Sequence, residues 1–154
     1  MIVIADPGPV GSPTSKDGAG FWARSALRYT LVAGERAEAV LPALEGADAP
    51  AGRTVRADDV LRVFIHPRLD AAQTWGATFV ALDLRFADGS RLSELRPLDQ
   101  YGVPATARGQ GEGKILYADQ WNDVQVHLGA AVGREIVEVL LVADVPGDEA
   151  DADV

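Results

Sequence analysis

The stretch "TFVALDLRFADGS" constrains the fold more than any other part of this chain. Val80, Leu82, Leu84 and Phe86 recur at every second position, with Asp83 and Arg85 between them. That period of two is the signature of a strand with one face on a core and one toward solvent. The Asp88-Gly89 pair then reads as a tight turn leading into "RLSEL". "DVLRVFIHP" repeats the pattern with Leu61, Val63 and Ile65 on one face and a terminating Pro67. "DVQVHLG" sets Val124, Val126 and Leu128 against Asp123, Gln125 and His127. "EIVEVLLVADV" is apolar on both faces, as a central strand covered on both sides should be.

Weaker segments complete the pattern. Phe21 to Val32 alternates through Leu27, Tyr29 and Leu31, and "KILYA" reads as a short strand. Ala37, Val40, Leu41 and Leu44 fit a helical stripe interrupted by Pro42, so a short helix or a long surface loop is expected there. Strands separated by turn signals, without a long helix, predict an all-β chain of about seven strands. The expected architecture is an antiparallel β-sandwich, jelly-roll-like or galactose-binding-domain-like. Residues 1–20 read as an irregular lead-in, 21–146 as the β-domain, and 147–154 as an acidic tail with nothing to bury.

A chain of 154 residues with 47% apolar and 24% charged content is one globular domain's worth of core. The net charge of −9, with only Lys16 and Lys114 as lysines, argues against nucleic acid, whose binding rests on neutralised phosphates. No apolar run has the length of a membrane span, and the opening "MIVIADPGP" lacks the basic start of a signal peptide. The absence of cysteine excludes disulfides, thiolate metal sites and thiol nucleophiles.

Motifs for catalysis fail on inspection. "GQGEGK" imitates a phosphate loop, but Arg108 stands at the first glycine position and Ile115 where a magnesium-binding hydroxyl belongs. It reads instead as a flexible glycine loop. His66 and His127 fall on outward strand positions or strand ends, with no G-x-S-x-G elbow to serve. The many turn aspartates carry no spacing that marks an acid/base pair, so no catalytic residue is assigned. Loop oxygens leave a calcium ion conceivable, without an EF-hand pattern, and no other cofactor is expected.

Two pieces share one frame: "LDQYG" and "ADQWN" each put Asp-Gln before an aromatic ring. Flat rings beside amides suit the apolar faces and the hydroxyls of sugars. Trp121, Gln120, Asn122, Tyr101, Gln100 and Trp75 are therefore the candidate ligand-binding residues. The competing reading is that Trp121 folds back as a lid on the core, because tryptophan is mostly buried.

"GPVGSPTSKDGAGFWARSALRYT", "ALDLRFADGSRLSELRPLDQYG", "RGQGEGKILYADQWNDV" and "GREIVEVLLVADVP" together resemble a β-sandwich region of actinobacterial glycoside hydrolase family 92 enzymes. The resemblance runs from about Pro7 to Pro146, and that region lies upstream of the catalytic part of these calcium-dependent α-mannosidases. It implies an accessory domain with a glycan or a family 92 catalytic module as partner. An extracellular location would follow if the chain belongs to a secreted mannosidase. The glutamate acid, aspartate base and calcium of the family belong to a region absent from this chain, so none is carried over.

Overall fold

A computed structural model of the chain describes residues 3–5, 28–30, 34, 36–42, 50–68 and 75–146. Among the described residues the structure is mostly strands with one short α-helix, and every strand pairing is antiparallel. Strand β1 (Val3–Ala5) pairs with β2 (Arg28–Thr30). Strands β3 (Arg36–Val40), β5 (Val80–Phe86) and β7 (Ile136–Asp144) form a sheet in the order β3-β7-β5. Strands β4 (Val60–Ile65) and β6 (Asn122–His127) form a two-stranded ribbon.

Alternation sets the register. Val80, Leu84 and Phe86 of β5 join Val139 and Leu141 of β7 in one cluster with Ile65, Val124 and Val126 from the ribbon. The central position expected of "EIVEVLLVADV" holds, because β7 is hydrogen-bonded on both edges. Its other face carries Leu140 and Val142, buried with Ala81 beneath Ala107 of the helix. Leu140 is 1% exposed, and burying it contributes about 1.5–3 kcal/mol.

That helix, α1 (Ala107–Gly113), corrects the reading of "GQGEGK" as a flexible loop. Thr106 caps its start by accepting the Gly109 amide at 3.2 Å. Glycine disfavours helix, yet here it permits close approach. A Cβ on Gly111 would run into the Phe79 ring, and one on Gly113 into Val103. The helix therefore lies close against Phe79 and Val103, while its first residue, Ala107, packs on the sheet.

Other expectations fail for identifiable reasons. Arg36 to Val40 is the strand β3, not a helix, because β7 offers it a full antiparallel register. "KILYA" forms no strand; Leu116 is buried in the core, while Tyr117 stands 65% exposed. Val3–Ala5 lies in β1, within what reads as lead-in. The Phe21–Val32 alternation is strand at Arg28–Thr30, and Trp22, Leu27 and Leu31 lie outside the described residues, as do Leu44 and 147–154. Asp83 points away from the core as expected but is only 4% exposed, because Arg91 and Ser93 cover it. The Asp88-Gly89 turn is present, with Phe86 N–H donating to Ser90 O at 2.9 Å. "RLSEL" then forms a 3₁₀ turn over Leu92–Leu95. Among the described residues no helix is long and apolar enough to cross a membrane.

Candidate functional site

The outer face of the β4–β6 ribbon is built from the polar half of each alternation. Register places Val60 opposite His127, Arg62 opposite Gln125 and Phe64 opposite Asp123. Arg62 grips Asp123 with two parallel bonds, Nε to Oδ1 at 2.9 Å and Nη2 to Oδ2 at 2.7 Å. Its guanidinium also lies 4.9 Å from the Phe64 ring centroid, within cation–π range. Gln125 Nε2 donates to the same carboxylate at 2.9 Å. The Arg62 hydrogen bond, more than any other influence, holds the Asp123 carboxyl below its ordinary range. The pair is thus a fixed ionic clasp across the ribbon.

A third segment widens this face. Asp99 bridges antiparallel to Val126, laying 98–100 along the free edge of β6. Gln100 then uses its side-chain amide as a backbone would. Its Nε2 donates to Asp123 O at 2.6 Å, and its Oε1 accepts Gln125 N–H at 2.9 Å. A row of Gln100, Gln125 and Arg62 results, and Leu98 is exposed on the same segment as Gln100.

The turn after Gln100 is fixed from below. Asp99 is 7% exposed; its Oδ1 accepts the Tyr101 and Val103 amides at 2.8 and 3.0 Å. Its Oδ2 accepts Gln110 Nε2 of α1 at 2.9 Å. Gly102 closes the turn at φ 77°, a conformation that favours glycine. Tyr101 is carried outward on this rigid support with 71% of its surface exposed.

The second Asp-Gln-aromatic piece behaves differently. Residues 118–120 turn the chain, and Asn122 begins β6 rather than ending the turn. Asn122 is 8% exposed. Its Oδ1 accepts Tyr117 N–H at 2.8 Å, and its Nδ2 donates to the carbonyls of Ile65, Tyr117 and Gln120. Such a saturated amide holds the turn to β4. Trp121 is half-buried, its ring edge-on to His66 at a centroid distance of 5.2 Å. Gln120 is exposed.

Of the six candidates, the structure brings Gln100 onto β6 immediately beside the strand that Trp121, Gln120 and Asn122 introduce. Trp75, 60% exposed, opens the 3₁₀ turn Trp75–Thr78, which packs on α1 rather than on the ribbon. Sequence reasoning missed Arg62 and Gln125 as members of the site. Their signal lies in the outward positions of two strands whose alternation otherwise marks only the buried face. No three His, Asp or Glu side chains among the described residues gather to hold a metal ion.

No family model matches the chain, and no curated protein matches its sequence.

Proposed function

We propose that this chain is a non-catalytic accessory domain that binds glycan through the Tyr101 turn and the adjoining outer face of the β4–β6 ribbon. The observation that carries this reading is the Tyr101 ring, 71% exposed on a turn locked by the buried Asp99. A protein side chain that large normally contributes burial, and a rigid exposed ring is a ready platform for the C–H face of a pyranose. Beside it, Gln125, Arg62 and Asp123 offer donors and acceptors suited to hydroxyl groups.

In this reading the sheet and the ribbon are the halves of a β-sandwich of jelly-roll or galactose-binding-domain type. Support comes from the single core to which both contribute. The resemblance to the accessory region of family 92 enzymes supplies the ligand class, α-mannosides, and the partner, a catalytic module. A calcium ion belongs to that module in this picture.

A second reading, a domain that packs on a partner and binds no sugar, is favoured by one observation. The amides of Gln100 and Asn122 are both spent on backbone. Affinity electrophoresis through mannan separates the two. The wild-type protein should be retarded and Tyr101→Ala should not, while its stability changes by only about 0.5 kcal/mol as for other exposed sites. Migration of the wild type unaffected by mannan and by a panel of neutral glycans would favour the partner-packing domain.

A further inference from the structure

A cleft of about 320 Å³ lies on the opposite side of the molecule from the ribbon's outer face, against the β3-β7-β5 sheet beside α1. Ala81, Ala107 and Val142 line it, all buried. Ala81 and Val142 are direct cross-strand neighbours, so two small side chains sit side by side on the sheet where larger ones would fill the space. The result is a flat apolar floor below a charged rim.

Among the described residues, the rim carries one cation whose side chain is uncommitted. Arg36 of β3 stands directly opposite Asp144 of β7 in register, the natural place for a cross-strand ion pair. Asp144 is already taken: Arg108 of α1 reaches its two oxygens at 3.2 and 3.1 Å. The Asp83 carboxylate, also on the cleft, is occupied by Arg91 and Ser93. The Arg36 side chain therefore has no hydrogen bond or ion pair with any described residue, although three carboxylates lie on the same rim. A free guanidinium fork matches a carboxylate in two parallel bonds. Thr106 accepts the Gly109 amide and keeps its O–H to donate. Glu94 uses one oxygen on the Arg91 amide and keeps the other to accept.

We propose that this cleft binds a monosaccharide-sized sugar acid, its carboxylate on Arg36, its hydroxyls on Thr106 and Glu94, and its C–H face on the alanine floor. The size stands near the low end of ligand pockets, roughly 300 Å³, and suits one ring. Arg91 and Arg108 neutralise Asp83 and Asp144, so Glu94 is the rim carboxylate left to oppose Arg36, a balance that suits a single carboxylate better than a doubly charged phosphate. The site shares no residue with the ribbon face and stands or falls separately from the glycan reading.

Amide NMR of isotope-labelled protein titrated with sodium D-glucuronate tests it, with D-glucose and a hexose phosphate as neutral and dianionic controls. Glucuronate should shift the amides of Ala81, Ala107 and Val142 saturably, and neither control should match it. Arg36 is exposed on an edge strand, so Arg36→Gln should leave the rest of the spectrum in place. It should weaken glucuronate binding at least about tenfold, the loss typical of a bidentate charged contact. Ala81→Leu, which fills the floor, should abolish the shifts while leaving a folded spectrum. Absent shifts at about 50 mM, well above any millimolar dissociation constant, would overturn the proposal. So would equal shifts in Arg36→Gln, or shifts from glucose or the phosphate as large as those from glucuronate.

Discussion

Arg91 Nε donates to Asp83 Oδ2 at 2.9 Å from the far side of the Asp88-Gly89 turn, and its Nη1 reaches Glu38 of β3 at 2.7 Å. One guanidinium thus ties the two edge strands of the sheet across β7. Asp83 accepts three further bonds, from the amides of Leu84 and Ser93 and from the Ser93 hydroxyl. Asp83→Ala should cost about 3 kcal/mol, because it strands a largely buried guanidinium as well as three donors. Leu82→Ala should cost only about 2 kcal/mol, the low end for leucine, since Leu82 is half-buried. Urea denaturation ranking Leu82→Ala clearly above Asp83→Ala would mean that the ion pair contributes little.

Gly111→Ala offers a test of α1 with a counterintuitive sign. Alanine favours helix over glycine by about 1 kcal/mol. Here the added methyl meets the Phe79 ring, so overpacking should dominate and destabilise by about 1–3 kcal/mol. Phe79→Leu in the same background should recover part of the loss. A Gly111→Ala variant more stable than the wild type would show that the helix and the Phe79 ring are not in close contact.

Asn122→Ala should destabilise by about 2–3 kcal/mol, leaving Tyr117 N–H and three carbonyls without their partner. Asn122→Asp cannot replace the Nδ2 donors and should not rescue it. A melting temperature within a degree or two of the wild type, about the resolution of the method, would mean that water substitutes freely at this site.

Stability should fall at both ends of the pH scale, for opposite reasons. Asp59, Asp88 and Asp123 have carboxyls held below their ordinary range. The leading causes are the Arg56 amide, the Ser90 hydroxyl and the Arg62 guanidinium respectively. Their contribution is complete above the unfolded value of about 4 and is lost as pH falls through the lower folded values. Burial pushes the Tyr29 phenol well above its ordinary value. Its contribution is complete below about pH 10, where the unfolded phenol begins to ionise, and declines as pH rises further. Urea midpoints measured across pH should show both arms. Asp123→Asn should flatten the acidic one and Tyr29→Phe the alkaline one; unchanged slopes would remove these groups as the cause.

Where core-facing apolar residues alternate with polar ones along a strand, the sequence states it plainly, as in "VALDLRF" and "DVQVH". A slip of one residue would expose every leucine and valine, so the pattern admits one register. The strand β3 lacked that clarity because "RAEAV" is alanine-rich, and its spacing satisfies helix and strand templates alike. Only its long-range partner β7 decides between them. The glycines of α1 misled for a related reason: their helix depends on Phe79 and Val103, which no local window contains. At the candidate site, the aromatic residues were visible by type. What each amide does was not, because Gln100 and Asn122 have the same chemistry whether facing a sugar or a backbone.

The use of Gln100 as a substitute strand residue has a consequence for the chain's behaviour in a crowded solution. An open strand edge is a template on which other chains can assemble into fibrils. On β6 the carbonyl of Asp123 and the amide of Gln125 are occupied by one side chain, which cannot itself be extended by a newcomer. Cutting back that single side chain would unmask the edge without disturbing the core. Susceptibility to aggregation on heating would then rise separately from folding stability.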